Sequence, residues 1–318
     1  MTADKSTAGE WRHEFDFIEF VRQTAASSGR RDVAHGIGDD CAVLQPPSGE
    51  HLLVSSDTLN EGVHFFSSDT PESIGHKALA VNLSDLAACG ASPLWACLNI
   101  SLPRLDECWL RGFFTGFMRL ARRHKVALIG GDTTYGALSI SITVTGHSRR
   151  PLLRGTAQAG DLVAISGQIG SAAFALKHRH HPAGRALSRA LQWPQPRLDI
   201  GQTIAPFASA AIDVSDGLAA DLSHLCQASG LSACVDLHAI PVHPLVKRHA
   251  PNWPALVLAG GDDYQLLFTL APSDKHKLPP DCHVIGHLQA AANNSPPVRV
   301  LDNGRELMLQ TAGYRHFQ

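Results

Sequence analysis

Apolar residues recur along this chain with two periods, one helical and one alternating. From Glu14 to Thr24, Phe17, Ile18, Phe20 and Val21 fall on one side of a helix. The runs 41–44 (CysAlaValLeu) and 51–56 (HisLeuLeuValSerSer) predict strands around a ProProSerGly turn at 46–49. Pro71 to Gly90 predicts a long amphipathic helix with Ala and Leu on its buried side. Residues 94–101 read as a buried strand closed by Pro103, and Asp106 to His124 as a second long helix. Val126–Ile129 then feeds a strand into GlyGlyAsp, and Leu138–Thr145 alternates as a further strand. Strands paired by short turns, then interleaved with helices, predict an α/β (α+β) fold with a mixed sheet.

The unit changes near residues 150–161. Beyond it, 162–166 (LeuValAlaIleSer) reads as a strand, GlyGlnIleGlySer as a tight turn, and Ala172–His178 as a helix. The expected organisation is a polar tail over 1–12, an N-terminal domain over 13–149 and a C-terminal α/β domain over 150–318. The stretch 178–185 (HisArgHisHisProAlaGlyArg) reads as a solvated loop, and its histidines lack the flanking carboxylate that a metal site would favour. Residues 291–297 read as a loop before a final strand.

Composition narrows the function classes. With 318 residues, 44% hydrophobic and 18% charged, the chain has the balance of a soluble globular protein. A net charge of -2 gives no basic field for nucleic acid or an anionic membrane. The seven cysteines contain no CxxC pair and are odd in number, which favours reduced thiols and a cytoplasmic location. The start lacks signal-peptide design, and no apolar run reaches the ~18 residues of a membrane span.

Chemistry enters through six carboxylate motifs: Gly38–Asp40, Ser55–Asp57, Asn82–Asp85, Gly130–Asp132, Asp213–Asp216 and Gly260–Asp263. Most follow an apolar, strand-like run and carry Gly, Ser or Thr beside the acid. Small neighbours let a phosphate or hydrated ion approach the backbone. A lone Asp beside Gly is usually a turn former, but six such motifs together point to Mg²⁺-dependent phosphate chemistry. If a helix starts within AspValSerAspGly, its two acids face one site and its first amides point toward phosphate. The GlyGlnIleGlySer turn also suits an anion, although packing is the stronger reading there. No phosphate-loop GxxxxGK[ST] sequence and no protein-kinase signature is present.

These motifs, in this order, resemble the thiamine-monophosphate kinase family, within the ATP-binding superfamily of aminoimidazole ribonucleotide synthetase. The segments 36–42 (GlyIleGlyAspAspCysAla), 77–88 (LysAlaLeuAlaValAsnLeuSerAspLeuAlaAla), 129–134 (IleGlyGlyAspThrThr) and 212–218 (IleAspValSerAspGlyLeu) carry the resemblance, which covers about residues 14–317. It implies the two-domain fold of that superfamily and transfer of the ATP γ-phosphoryl group to thiamine monophosphate. It also implies several Mg²⁺ ions and a homodimer joined through the N-terminal sheets. The matching metal ligands are Asp40, Ser55, Ser56, Asp57, Asp85, Asp132, Asp213 and Asp216. Gly131, Asp132, Arg154 and Ser215 match ATP-contacting positions, and His64, Asp262 and Tyr314 match substrate-contacting ones. The family commonly has Thr where Ser56 stands, and Glu where Asp262 stands. The expected site draws on both domains, and transfer is expected to be direct and in line, with no phosphoenzyme. The alternatives are another enzyme of the superfamily with a different phosphate acceptor, or a non-catalytic nucleotide-binding homologue. Selenophosphate synthetase usually carries a reactive Cys or selenocysteine in its N-terminal segment, and here no Cys precedes Gly36.

Overall fold

Helix α1 (Glu14–Ala25) forms over the stretch whose apolar spacing predicted it, with Phe17 turned inward. The computed structural model describes residues 14–25, 30–35, 37, 42–291, 296–308 and 313. The chain divides into two units. One comprises Met1–Pro46, Ser56–Leu79 and Leu94–Val144; the other comprises Pro47–Ser55, Ala80–Pro93 and Thr145–Gln318.

After α1 come β1 (Val33–His35), β2 (Val43–Leu44), β3 (His51–Asn60), α2 (Pro71–Ala88), β4 (Ser92–Leu102), α3 (Glu107–Arg123), β5 (Ala127–Tyr135) and β6 (Ser139–Ser148). A four-stranded sheet runs in the order β3-β6-β4-β5, with β4 and β5 parallel. Parallel neighbours need a crossover, and α3 supplies it. Asp106 starts that helix by accepting the Trp109 N–H at 3.0 Å, and Arg122 and Arg123 complement the dipole at its end. Its apolar stripe buries Phe113, Phe114 and Phe117, and Phe17 of α1 meets Phe114 edge-on with centroids 5.6 Å apart. Each such ring contributes about 1.5–3 kcal/mol by leaving water.

Three expectations change. The strands flanking the 46–49 turn do not pair: β2 joins β1 in a separate two-stranded sheet, while β3 lies beside β6. Cross-strand polar pairs hold that second contact, Ser56 with Thr143 at 3.0 Å, Thr58 with Ser141 at 2.6 Å and Ser139 with Asn60 at 2.7 Å. Helix α2 is not amphipathic. Every residue from Ser73 to Ser84 is buried, including His76, Lys77 and Asn82, so its polar groups are interior. The GlyGlyAsp motif does not end a strand, because β5 continues through it to Tyr135.

The rest of the chain forms β7 (Leu162–Ser166), α4 (Ser171–Lys177), α5 (Pro182–Ala186), α6 (Ser188–Gln192), α7 (Leu198–Ile204), β8 (Ala208–Asp213) and α8 (Leu218–Ser229). There follow β9 (Leu231–Asp236), α9 (Pro244–His249), α10 (Trp253–Ala259), β10 (Leu266–Leu270), β11 (Cys282–Ala290), β12 (Val298–Asp302) and β13 (Arg305–Leu307). The region expected as a loop over 178–185 thus holds the start of α5, with His181 accepting the Ala183 N–H at 3.2 Å. A seven-stranded sheet runs in the order β13-β12-β9-β11-β7-β10-β8. Its β12–β9 pair is parallel and its other pairs are antiparallel. Val163, Ile165, Phe174, Leu222 and Leu267 lie in its core. The mixed α/β architecture expected from the sequence is the one found.

Candidate active site

A cavity of about 500 Å³ lies in the second unit. Leu53, Leu86, Leu152 and Ile212 give it apolar walls, while Ser55, Asp85, Arg154 and Asp213 bring polar groups to it. Asp213 ends β8 and is 4% exposed; its Oδ2 accepts the Ser84 hydroxyl at 2.7 Å. Asp85, in the last turn of α2, accepts the Ser55 hydroxyl at 2.5 Å through its own Oδ2. Burial pushes the Asp85 pKa up, against the Ser55 hydrogen bond and the Arg154 charge. The Cys89 thiol on the same wall is pushed up, by burial first and then by the Asp85 charge. Ser84 is a member of this site that acid-by-acid reading missed. Its signal lay in the quoted 77–88 run, one residue before Asp85.

The loop after β8 departs from expectation. Helix α8 starts only at Leu218, so Asp213 and Asp216 flank a loop and do not share a helical face. The amides expected to point toward phosphate are occupied: Ser215, Asp216 and Gly217 each donate to Asp221 Oδ2 at 3.1 Å. Burial, then the Asp216 charge, pushes the Asp221 pKa up to about 7, although those three N–H groups favour its charged form. The GlyGlnIleGlySer turn is likewise taken by a carboxyl group of the protein's own. Gly170 N–H donates to Asp263 Oδ1 and Oδ2 at 3.0 and 2.8 Å, and burial pushes that carboxyl up to about 8. Packing, the stronger reading of that turn, accounts for it.

Asp262 adopts a left-handed φ of +67°, donates its N–H to the Ser215 carbonyl at 2.9 Å and accepts the Tyr264 hydroxyl at 2.9 Å. Ser215 and Asp262 are therefore neighbours. Tyr314 and Asp40 lie outside the described residues. Gly313 sits against Ala220 and the Asp216 carbonyl.

In the first unit, strand alternation separates Ser56 from its neighbours. Its exposed hydroxyl donates to the Ile142 carbonyl at 3.2 Å on the face opposite to that of Ser55 and Asp57. Asp57 is half-buried in β3, and Asp132 is exposed in β5, next to Gly131. His64 is held twice: Asn60 N–H donates to its Nδ1 at 3.0 Å, and Lys77, 3% exposed, donates to its carbonyl at 2.9 Å. An Nδ1 that accepts places the proton of the neutral ring on Nε2. Asn60 and Lys77 were not singled out from the sequence; Lys77 opens the quoted 77–88 run.

A family model described as AIR synthase related protein, N-terminal domain, matches residues 38–148. The matched segment spans the four-stranded sheet and includes Ser55 and Asp85, two of the polar residues on the cavity. The thiamine-monophosphate kinase of Salmonella typhimurium is 39% identical over 311 residues, covering 91% of this chain and 94% of that one. A crystal structure of the thiamine-monophosphate kinase from Stenotrophomonas maltophilia K279a superposes with a TM-score of 0.83 at 39% identity, over 92% of this chain and 98% of that one. A structure of AaThiL complexed with AMPPCP and TMP superposes with a TM-score of 0.78 at 31% identity, over 98% of this chain and 100% of that one. The chain belongs to the thiamine-monophosphate kinase family.

Proposed function

We propose that this protein transfers the γ-phosphoryl group of ATP to thiamine monophosphate, giving thiamine diphosphate and ADP. Full-length similarity to thiamine-monophosphate kinases supports the substrate assignment. The observation that carries the chemistry is the cavity that joins Asp85, Asp213, Ser55 and Arg154.

The donor set fits Mg²⁺. Among the described residues no three carboxylate, imidazole or thiol groups form a ready cage. Mg²⁺ binds commonly through one or two carboxylates together with waters and substrate phosphates, and Asp85 and Asp213 meet that need with hard oxygen. Asp40, Asp57, Asp132 and Asp216, with Ser55 and Ser56, complete the proposed ligands. Bound there, Mg²⁺ neutralises charge on the phosphates as two anions are brought together.

The protein's own groups do the rest. Like charges a few Å apart repel by roughly 4 kcal/mol at an effective dielectric of ~20. Arg154 offsets part of this and offers a planar donor pair that matches phosphate oxygens. Gly131, Asp132 and Ser215 are proposed ATP contacts, and His64, Asp262 and Tyr314 substrate contacts; His64 presents an N–H donor. The acceptor phosphate is largely deprotonated near neutral pH, with a second pKa of ~6, so no strong general base is needed and no aspartate acts as nucleophile. We further propose a cytoplasmic homodimer joined through the four-stranded sheets. Its edge strands β3 and β5 carry the exposed apolar residues Val54 and Tyr135, which supports that surface. No described helix is long and apolar enough to cross a membrane.

The test is product formation from thiamine monophosphate, ATP and Mg²⁺, with and without excess chelator. Chelator-sensitive thiamine diphosphate, formed one for one with ADP, is expected. Tight Mg²⁺–ATP binding without product would move the assignment to another phosphate acceptor.

A further inference from the structure

Asp221 is 3% exposed and belongs to none of the six acidic motifs. It lies inside α8, four residues after the cap Gly217, yet its carboxylate reaches back beyond the helix. One oxygen, Oδ2, receives the N–H groups of Ser215, Asp216 and Gly217, each at 3.1 Å. A capping carboxylate of the usual kind satisfies the cap residue alone. Here three consecutive amides converge, fixing the backbone on both sides of Asp216.

Other contacts grip the same loop. Val214 N–H donates to the Gln265 carbonyl at 2.8 Å, and the Val214 carbonyl accepts Tyr264 N–H at 2.8 Å. Asp262 N–H donates to the Ser215 carbonyl at 2.9 Å. Gly313 packs so closely that a Cβ there would stand 2.8 Å from the Asp216 carbonyl oxygen. All of these are backbone contacts. The Asp221 carboxylate is the side-chain fastener among them, and a single substitution removes it.

We propose that Asp221 is a positioning residue, which holds the 215–217 backbone so that the Asp213 and Asp216 carboxylates stay at a fixed separation for one divalent cation. It rests on the reading of those two acids as metal ligands. Asp221 Oδ2 is taken up by the three amides, and this oxygen is assigned to the loop and not to the cation. Its value lies in preorganisation: an untethered loop must be ordered each time a cation binds.

The experiment uses the full chain with D221A, D221N and D216N. It reads Mn²⁺ binding without nucleotide, hydrogen exchange of the peptide spanning 213–218, and thermal melting. D221A is expected to weaken Mn²⁺ binding on the order of tenfold, the size of one charge-assisted hydrogen bond, and to speed exchange of the loop. D221N keeps a neutral acceptor and is expected to lose roughly threefold, because bonds to an ionised acceptor are about twice as strong. A merely structural cap would lower the melting temperature and leave Mn²⁺ affinity alone. Folded D221A and D221N with wild-type affinity, beside a weakened D216N, would overturn the proposal. If D221A does not fold, D221N decides: weaker binding with faster exchange supports it, and wild-type values of both overturn it. Wild-type affinity in D216N would refute the metal assignment and the proposal with it, while the exchange rates would still report whether Asp221 holds the loop.

Discussion

Replacing Gly131 by Ala tests why the GlyGlyAsp motif is built from glycine. Gly131 lies within β5 at φ +146°, and a Cβ there would stand 1.8 Å from the carbonyl oxygen of Leu98, its partner on β4. That oxygen belongs to a paired strand and cannot retreat without disturbing the ladder. A non-glycine residue in this backbone region costs about 1–3 kcal/mol, and overpacking a filled site costs about 1–3 kcal/mol more. The sum for Gly131→Ala is therefore about 2–6 kcal/mol. Gly130 is the internal control, because the nearest atom to a Cβ there is Cys97 Sγ at 4.0 Å. Gly130→Ala should change stability by less than about 1 kcal/mol. Thermal denaturation of both variants separates the cases, at about 2–4 °C per kcal/mol as an upper figure for a chain of this length. Gly131→Ala is expected to melt about 4–24 °C lower, and Gly130→Ala within about 4 °C of the parent. Equal losses in the two variants, or a Gly131→Ala protein that melts like the parent, would refute the close-approach argument. The small residue at 131 would then have to be explained by the ligand, as the sequence reading supposed.

Three further outcomes follow from the site. Burial holds the Asp263 carboxyl protonated up to about pH 8, whereas in an unfolded chain it ionises near ~4. The folded state thus binds the extra proton between those values, and this contribution to stability is fully present below ~4 and lost as pH rises toward 8. Asp263→Asn keeps the acceptor and should flatten that slope; denaturation midpoints at pH 5 and 8 that move in parallel with the parent would contradict it. Asp85→Asn retains an acceptor for Ser55 while removing a metal-binding charge, so turnover should fall by about 100-fold or more with the melting point unchanged or higher, because burial already disfavours its charge. Normal turnover in the folded variant would sink the ligand assignment. Arg154→Lys should raise the KM for ATP by roughly tenfold through loss of the paired donor geometry without affecting melting, since Arg154 is exposed; an unchanged KM would remove Arg154 from the nucleotide site.

Local signals settled much of this protein. The Phe17 spacing, the Asp106 cap and the alternation over 138–145 fixed α1, α3 and β6, because periodicity and capping act over a few residues. The acid motifs and their order disclosed the family, since phosphate and Mg²⁺ chemistry demands particular residue types. Tertiary structure decided what those residues touch. Helix α2 looked amphipathic but is interior on every side, and nothing in a helical period reports a second covered face. The partner of β3 is β6, joined to it by polar pairs some 80 residues apart along the chain. Segments 47–55 and 80–93 pack with the unit that starts at Thr145, which placed Ser55 and Asp85 beside Asp213 and Arg154. The loop amides at 215–217 and the turn at Gly170 looked open to phosphate, yet Asp221 and Asp263 already fill them. A sequence names the groups able to bind an anion, but only the folded chain shows which of them its own carboxylates have taken.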